Sequence, residues 1–249
     1  MTALAYFDAA QSLLEKIRDT QSDTIRRAAA SMADGVTRGG LVNLFGSGHS
    51  VLPVMDAFPR YGSYPAFRPL VDARLSWFNV LGTGGVRELL WLERTEGYIR
   101  NFLRNYLLKP EDTMVVYSHG GLNAAGIETA LYAREQGLLT VAVTSVANLS
   151  ANRATHSSGK RLADVADIVI DNCVPPEDAV IPVPGWAGPV AAQSTLSVVA
   201  ITMALTAELA CQLSERGVTL PVFVSPNVRG VPADNNDRVF EEYRRVTLR

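Results

Sequence analysis

Leu41-Val42-Asn43-Leu44-Phe45 runs straight into Gly46-Ser47-Gly48-His49-Ser50, and Thr113-Met114-Val115-Val116-Tyr117 runs straight into Ser118-His119-Gly120-Gly121-Leu122-Asn123. Each is a short apolar run that reads as a strand, followed by a turn of small residues and then a helical pattern. A helix N-terminus leaves unpaired N–H donors carrying partial positive charge, and glycine lets the backbone approach a ligand closely. Two such turns in one sheet predict an anionic small molecule, a phosphorylated one, as the ligand.

Outward from these two units the chain keeps alternating. A helix is expected from about Val51, an extended piece near 66–71, a helix from Glu93 to Leu107, a helix over 122–136, and strands at 138–143 and 166–170. Short apolar runs alternating with amphipathic helices are the pattern of parallel βαβ units. The expected fold is α/β, a three-layer α/β/α sandwich with a central, mainly parallel sheet. Ligands of such sheets sit beyond the carboxyl ends of the strands, so the two turns and Thr144-Ser145, which ends the next strand, are expected to face one pocket. Ahead of the sheet, residues 3–18 and a second stretch N-capped by Ser22 predict two helices. They form an N-terminal helical extension, about residues 1–38, of a single domain spanning 1–249.

The chain has 249 residues, 47% of them hydrophobic and 19% charged, enough to bury a full core. Its formal charge of −2 is scattered, without the basic stripe that nucleic acid demands, so no nucleic-acid partner is expected. Cys173 and Cys211 stand alone, with neither a disulfide framework nor a zinc spacing, and no metal or cofactor is expected. The N-terminus lacks a basic segment and its apolar stretch is broken by Asp8, unlike a signal peptide; a reducing cytoplasm is the expected location. The apolar stretch from Pro189 to Glu215 contains Gln193, Ser194, Thr195 and Glu208 and reads as a buried helix rather than a membrane span. Two readings stay open for its extra apolar surface: contact with a second copy of the chain, as a homodimer, or burial within one subunit.

The strand followed by Gly-Ser-Gly-x-Ser, the later strand followed by Ser-x-Gly-Gly-x-Asn, the helix containing Ile127-Glu128 and the strand ending Val143-Thr144-Ser145 resemble the SIS, or sugar isomerase, domain family, which includes phosphoheptose isomerase. Leu92-Glu93-Arg94 with Gly97-Tyr98, His156-Ser157-Ser158-Gly159-Lys160, Asp167 to Asn172, Asp178-Ala179 and Pro221 to Gly230 extend the resemblance to stand-alone phosphosugar isomerases of that family. The resemblance implies a sugar phosphate held by Ser47, Gly48, Ser50, Ser118 and Thr144 or Ser145, because several charge-assisted hydrogen bonds can hold a dianion without a lysine. It also marks a departure: Gly120 stands where a second serine is usual, with His119 or Asn123 as the available compensation.

Aldose–ketose isomerisation passes a proton between adjacent carbons through an enediol, which requires a base and a group that shuttles protons between oxygens. Glu93 is the expected base, with Asp56 a shorter-reaching alternative, and His156 and His49 are the expected proton carriers. Lys160 and Arg161 bring positive charge near His156, Asp178 offers a contact to a sugar hydroxyl, and Arg60 falls where the stand-alone members of the family also have an arginine, a resemblance that implies reach across a dimer interface. Gly82-Thr83-Gly84-Gly85 reads as a plain loop or a lid over the pocket. The expected activity is interconversion of aldose and ketose phosphates. The same equipment also serves a lyase or deglycase, or a deaminase, acting on a substituted sugar phosphate, and the fold also serves non-catalytic sensors.

Overall fold

The computed structural model describes residues 2–76, 79–82 and 85–248. Its centre is a parallel sheet of β1 (Val42–Gly46), β2 (Phe67–Leu70), β3 (Thr113–Tyr117), β4 (Leu139–Thr144) and β5 (Ile168–Asp171), in the order β2-β1-β3-β4-β5. In β3, Val115 and Tyr117 point into one core and Met114 and Val116 into the other, the period-two alternation of a strand covered on both faces.

On the first face lie α1 (Thr2–Thr37), α2 (Val51–Ala57) and α8 (Ser194–Glu215), with α9 (Asn235–Thr247) at its margin; they bury Ile25, Met32, Val54, Ile201, Leu205 and Val239 against the sheet. The second face carries α4 (Tyr98–Leu103), α5 (Ala124–Glu135) and α7 (Leu162–Val165), through Ile99, Leu103, Ile127 and Leu162. Two short helices, α3 (Val86–Leu92) and α6 (Val146–Ala151), flank the loops at the strands' carboxyl ends, and β6 (Ala179–Ile181) pairs antiparallel with β7 (Val190–Ala192) as a separate hairpin. The α/β/α layering is as expected.

Several local expectations are corrected. The two N-terminal helices are one helix of 36 residues: Ser22 is not a cap, because its hydroxyl donates to the Arg18 carbonyl one turn back, as Thr20 does to Lys16. Hydroxyls bonded in this way sit inside a helix without ending it. Of the helix expected from Glu93 to Leu107 only α4 forms, entered at Gly97 with a positive φ of 85°, and a separate helix, α3, ends before it at Leu92. Glu93 therefore closes α3 and does not begin a helix. The long apolar helix starts at Ser194, and residues 190–192 belong to the hairpin. Thr83 and Gly84 of the glycine-rich segment lie outside the described residues.

Helix α8 is long and apolar enough to cross a membrane by composition alone. One face nevertheless packs along α1, and its Thr202 hydroxyl lies 2.9 Å from that of Tyr117, a core residue of β3. Ala204, Ala207, Ala210 and Cys211 line the opposite, exposed face.

The amino ends of β1 and β3 are pinned by a buried ion pair. Arg68 Nε donates to Asn43 Oδ1 at 2.6 Å and its Nη2 to Asp112 Oδ2 at 3.3 Å, while Asp112 also accepts from the backbone N–H of Leu41 and Lys109. Removing one partner of a buried pair strands the other charge. Asp112→Ala is expected to cost about 3 kcal/mol, read as a lowered urea midpoint with an unchanged m-value.

Candidate active site

The loops after β1 and β3 flank the point where the chain's order in the sheet reverses. That is the crevice where open α/β sheets take their ligands. The first loop is built on glycine by necessity. A Cβ on Gly46 would lie 2.0 Å from the Ser50 carbonyl oxygen, and Gly48 has a φ of 59°. Gly48 N–H donates to the Leu75 carbonyl and Ser50 N–H to that of Ser47, which coils the loop over the end of β1 and leads into α2.

In the second loop Gly121 has a φ of 63°, and a Cβ there would fall 2.7 Å from Thr144 Oγ1. Its N–H donates to Ser118 Oγ at 3.1 Å. Thr144 and Ser145 form the floor under this loop. Thr144 Oγ1 donates to the His119 carbonyl, Ser145 N–H donates to the same carbonyl, and Ser145 Oγ donates to Val174. Gly120 differs from the other loop glycines: a Cβ there would meet only Asn148 Nδ2, at 3.7 Å, an ordinary contact. The backbone does not demand glycine at 120.

The two loops enclose a cavity of roughly 320 Å³ lined by Ser47, Gly48, His49, Ser50, Glu93, Ser118, His119, Gly120, Asn123 and Asp178, and by Val86, Leu89, Leu90 and Ser194. Ten of the residues proposed from the sequence thus meet around one space. Four others do not line it: Thr144 and Ser145 are fully buried beneath it, Lys160 lies on an exposed loop, and His156 lines a neighbouring cavity. Asp56, on α2, is tied in an ion pair to Arg60, just beyond the end of that helix. Sequence reasoning missed Ser194 and the apolar wall of α3. The signal for Ser194 was Asp178, whose carboxylate accepts from Ser194 N–H and Oγ, both at 2.7 Å, and from Gln193 N–H, thereby capping α8.

Glu93 sits at the centre. Its carboxylate accepts from Ser47 Oγ at 2.9 Å, and its backbone carbonyl accepts from Ala125 N–H in the first turn of α5, so α3, α5 and the first loop hold it together. Burial pushes its pKa up; hydrogen bonds from Ser47 and Asn123 and the nearby Arg94 only partly oppose this. His49 is shifted down by burial, with the charge of Asp178 working against the shift. The His119 ring is held by Asn172: its Nδ1 faces Asn172 Nδ2 at 3.2 Å, which makes Nδ1 the acceptor. The arrangement is therefore a carboxylate whose pKa burial raises and an imidazole whose pKa burial lowers, above two turns of hydroxyls and backbone amides, with no Lys or Arg lining the cavity among the described residues.

Fold and cavity together define an α/β/α small-molecule site built at a sheet switch point. The SIS domain pattern matches residues 5–145. UPF0309 proteins from Geobacillus kaustophilus and Streptomyces coelicolor are 34% and 36% identical over 239 residues each, covering 96% of this chain and 93% of each relative. The chain belongs to the SIS-domain family and to the UPF0309 proteins. Its fold is shared with the phosphoheptose isomerases of Neisseria gonorrhoeae (TM-score 0.56, 16% identity, 85% of this chain and 97% of that one) and Francisella tularensis (TM-score 0.55, 16% identity, 84% and 98%).

Proposed function

We propose that this protein binds a sugar phosphate in the cavity between the two loops and interconverts its aldose and ketose forms. The observation that carries the reading is Glu93, a buried carboxylate with a raised pKa, positioned by Ser47 in a cavity walled by two strand-to-helix turns. A base poised toward neutrality suits abstraction of a proton next to a carbonyl. In the forward direction Glu93 takes the C2 proton of the open-chain aldose, the electron pair passes to the carbonyl oxygen, and an enediolate results. Return of the proton to C1, with transfer of a hydroxyl proton between O2 and O1, gives the ketose.

His49 is the group for the oxygen-to-oxygen transfer, since it shares the cavity with Glu93 and burial favours its neutral form. His156, which does not line this cavity, is given no part in these steps. The phosphate is assigned to the hydroxyls of Ser50 and Ser118, the amides around Gly48 and Gly120, and the first turn of α5, the Ser47 hydroxyl proton being committed to Glu93. Asp178 and Asn123 are assigned to sugar hydroxyls, and Thr144 and Ser145 to building the second loop. The names of the solved structures that share the fold, phosphoheptose isomerases, support a phosphosugar as the substrate class. The working form is assigned as a cytoplasmic homodimer, the exposed small-residue face of α8 being the surface for the second copy.

Ligand binding raises the melting temperature by mass action. A thermal-shift panel of sugar phosphates against the same sugars without phosphate is expected to show stabilisation by the phosphorylated set alone; equal responses would contradict the anion assignment. Gly120→Ser adds a hydroxyl where the backbone has room and the cavity lies open. It is expected to tighten sugar-phosphate binding about tenfold, the equivalent of roughly 1.4 kcal/mol for one charge-assisted hydrogen bond, measurable by calorimetric titration.

A further inference from the structure

A second cavity, of roughly 380 Å³, adjoins the first, and Asn123 lines both. Its other polar walls are Arg94 and Glu96, which follow α3, and Thr155 and His156 of the loop before α7. The loop is clasped to the turn after α3, where Ser157 N–H and Oγ both donate to the Glu96 carboxylate.

His156 is the unusual member. Its side chain is only 7% exposed. Ser158 N–H donates to Nδ1 at 3.1 Å, so in the neutral ring the proton sits on Nε2. That Nε2 is buried and has no hydrogen-bond partner. It lies 3.8 Å from Glu96 Oε2 and 3.8 Å from Glu128 Oε1, too far for a hydrogen bond, and Glu128 Oε2 beside it is also buried and without a partner. Buried polar atoms are almost always paired, and an unpaired one calls for an explanation.

The chemistry of the walls is mixed. Arg94 supplies donors, Glu96 acceptors, Asn123 both, and the imidazole an unpaired Nε2 donor 3.8 Å from the Glu96 carboxylate. One hydroxyl answers such a pair, since a single oxygen accepts from Nε2–H and donates to a carboxylate. A phosphate or carboxylate does not, because the Glu96 carboxylate on the wall, with that of Glu128 against the same imidazole, already offsets the single guanidinium. From this we infer that the second cavity is a subsite for a hydroxylated, sugar-like group, the further part of a two-part substrate whose reacting part lies against Glu93. This deepens, and rests on, the reading of the first cavity as a sugar-phosphate site. It makes the substrate a substituted sugar phosphate and gives His156 a binding role.

The test uses the scarcity of histidine, His49, His119 and His156 being the three in the chain. Their imidazole signals are resolved by NMR on the ring-labelled protein, and that of His156 is assigned by its loss in His156→Gln. Free glucose is expected to displace the His156 signal along a saturating curve at millimolar concentration. Glucose 6-phosphate is expected to displace the His49 signal. Thr155→Trp, which fills the cavity from an exposed position, is expected to abolish the His156 response, its His49 and His119 signals keeping their wild-type positions as the check on folding, whereas Thr155→Ala retains the response. A His156 signal that glucose does not move, moves without saturation, or moves equally in Thr155→Trp overturns the subsite. A His49 signal indifferent to glucose 6-phosphate overturns the reading of the first cavity instead, so the two failures are distinguishable.

Discussion

Glu93→Gln is expected to lower the rate of isomerisation by about a hundredfold to ten-thousandfold, the usual contribution of a positioned general base. Sugar-phosphate affinity should change little. The amide keeps the size of the carboxylate, and its oxygen can still accept from Ser47 Oγ, so the first loop retains its shape; only the capacity to take a proton is removed. The loss should therefore appear in kcat rather than in KM.

The same substitution carries a stability signature. A carboxylate whose folded-state pKa lies above its unfolded value gives the folded chain an advantage below the unfolded pKa, and that advantage is lost as pH rises through the folded pKa. Glu93 is shifted upward by burial, so above the unfolded carboxylate range the folded wild type gives up stability that it holds in acid. The Gln variant escapes this cost. Its melting temperature is expected to exceed that of the wild type at neutral pH and to converge with it as pH falls below the carboxylate range. An inactive but stabilised variant is the mark of a site where stability is given up for chemistry. Lost activity accompanied by a lower melting temperature at neutral pH would instead point to a structural role.

Gly46→Ala is expected to destabilise the protein by about 4 kcal/mol, in the upper range for a single substitution, and to abolish sugar-phosphate binding. The added methyl would sit 2.0 Å from the Ser50 carbonyl oxygen and 2.5 Å from its carbonyl carbon. These are backbone atoms at the entry to α2, so no side-chain rotation relieves the clash, and the loop must uncoil from the end of β1. Ser47 would then leave Glu93, and Ser50 would leave the cavity. Chemical denaturation and calorimetric titration check the two effects. Gly120→Ser is the contrasting substitution in the same cavity, sterically free and expected to strengthen binding. Similar losses from both would show that the loops tolerate no side chain at all and would remove Gly120 as a determinant of the anion site.

Much of the fold was legible because each β-strand and its turn is specified locally. Val115 and Tyr117 against Met114 and Val116 announce a strand covered on both faces, and the glycines of 46–48 and 120–121 announce turns against a helix start. The cavity followed from the same information, since parallel topology brings such turns to one edge of the sheet. Other features depended on packing and were not legible. Ser22 looks like a helix cap until its hydroxyl is seen bonded back along α1, and Gly97 breaks the helix expected after Glu93 only because the chain must turn there to lay α4 on the sheet. Helix α9 went unread: its Val239 and Tyr243 face inward only once Phe58 stacks on Tyr243, with ring centroids 4.6 Å apart. His156 was itself expected in the site as a proton carrier, yet the loop that carries it is held to Glu96 and faces the neighbouring cavity. No spacing in the chain encodes that placement.

The most direct measurement of the central claim is incubation of the protein with a panel of aldose phosphates in deuterium oxide, followed by mass spectrometry and NMR of the sugars. The account predicts a ketose phosphate carrying one carbon-bound deuterium at C1, acquired through proton abstraction by Glu93 and exchange with solvent, and no such product with Glu93→Gln. Tight binding of the same phosphates with neither isomer nor deuterium at carbon would contradict it and leave a protein that binds its ligand without converting it.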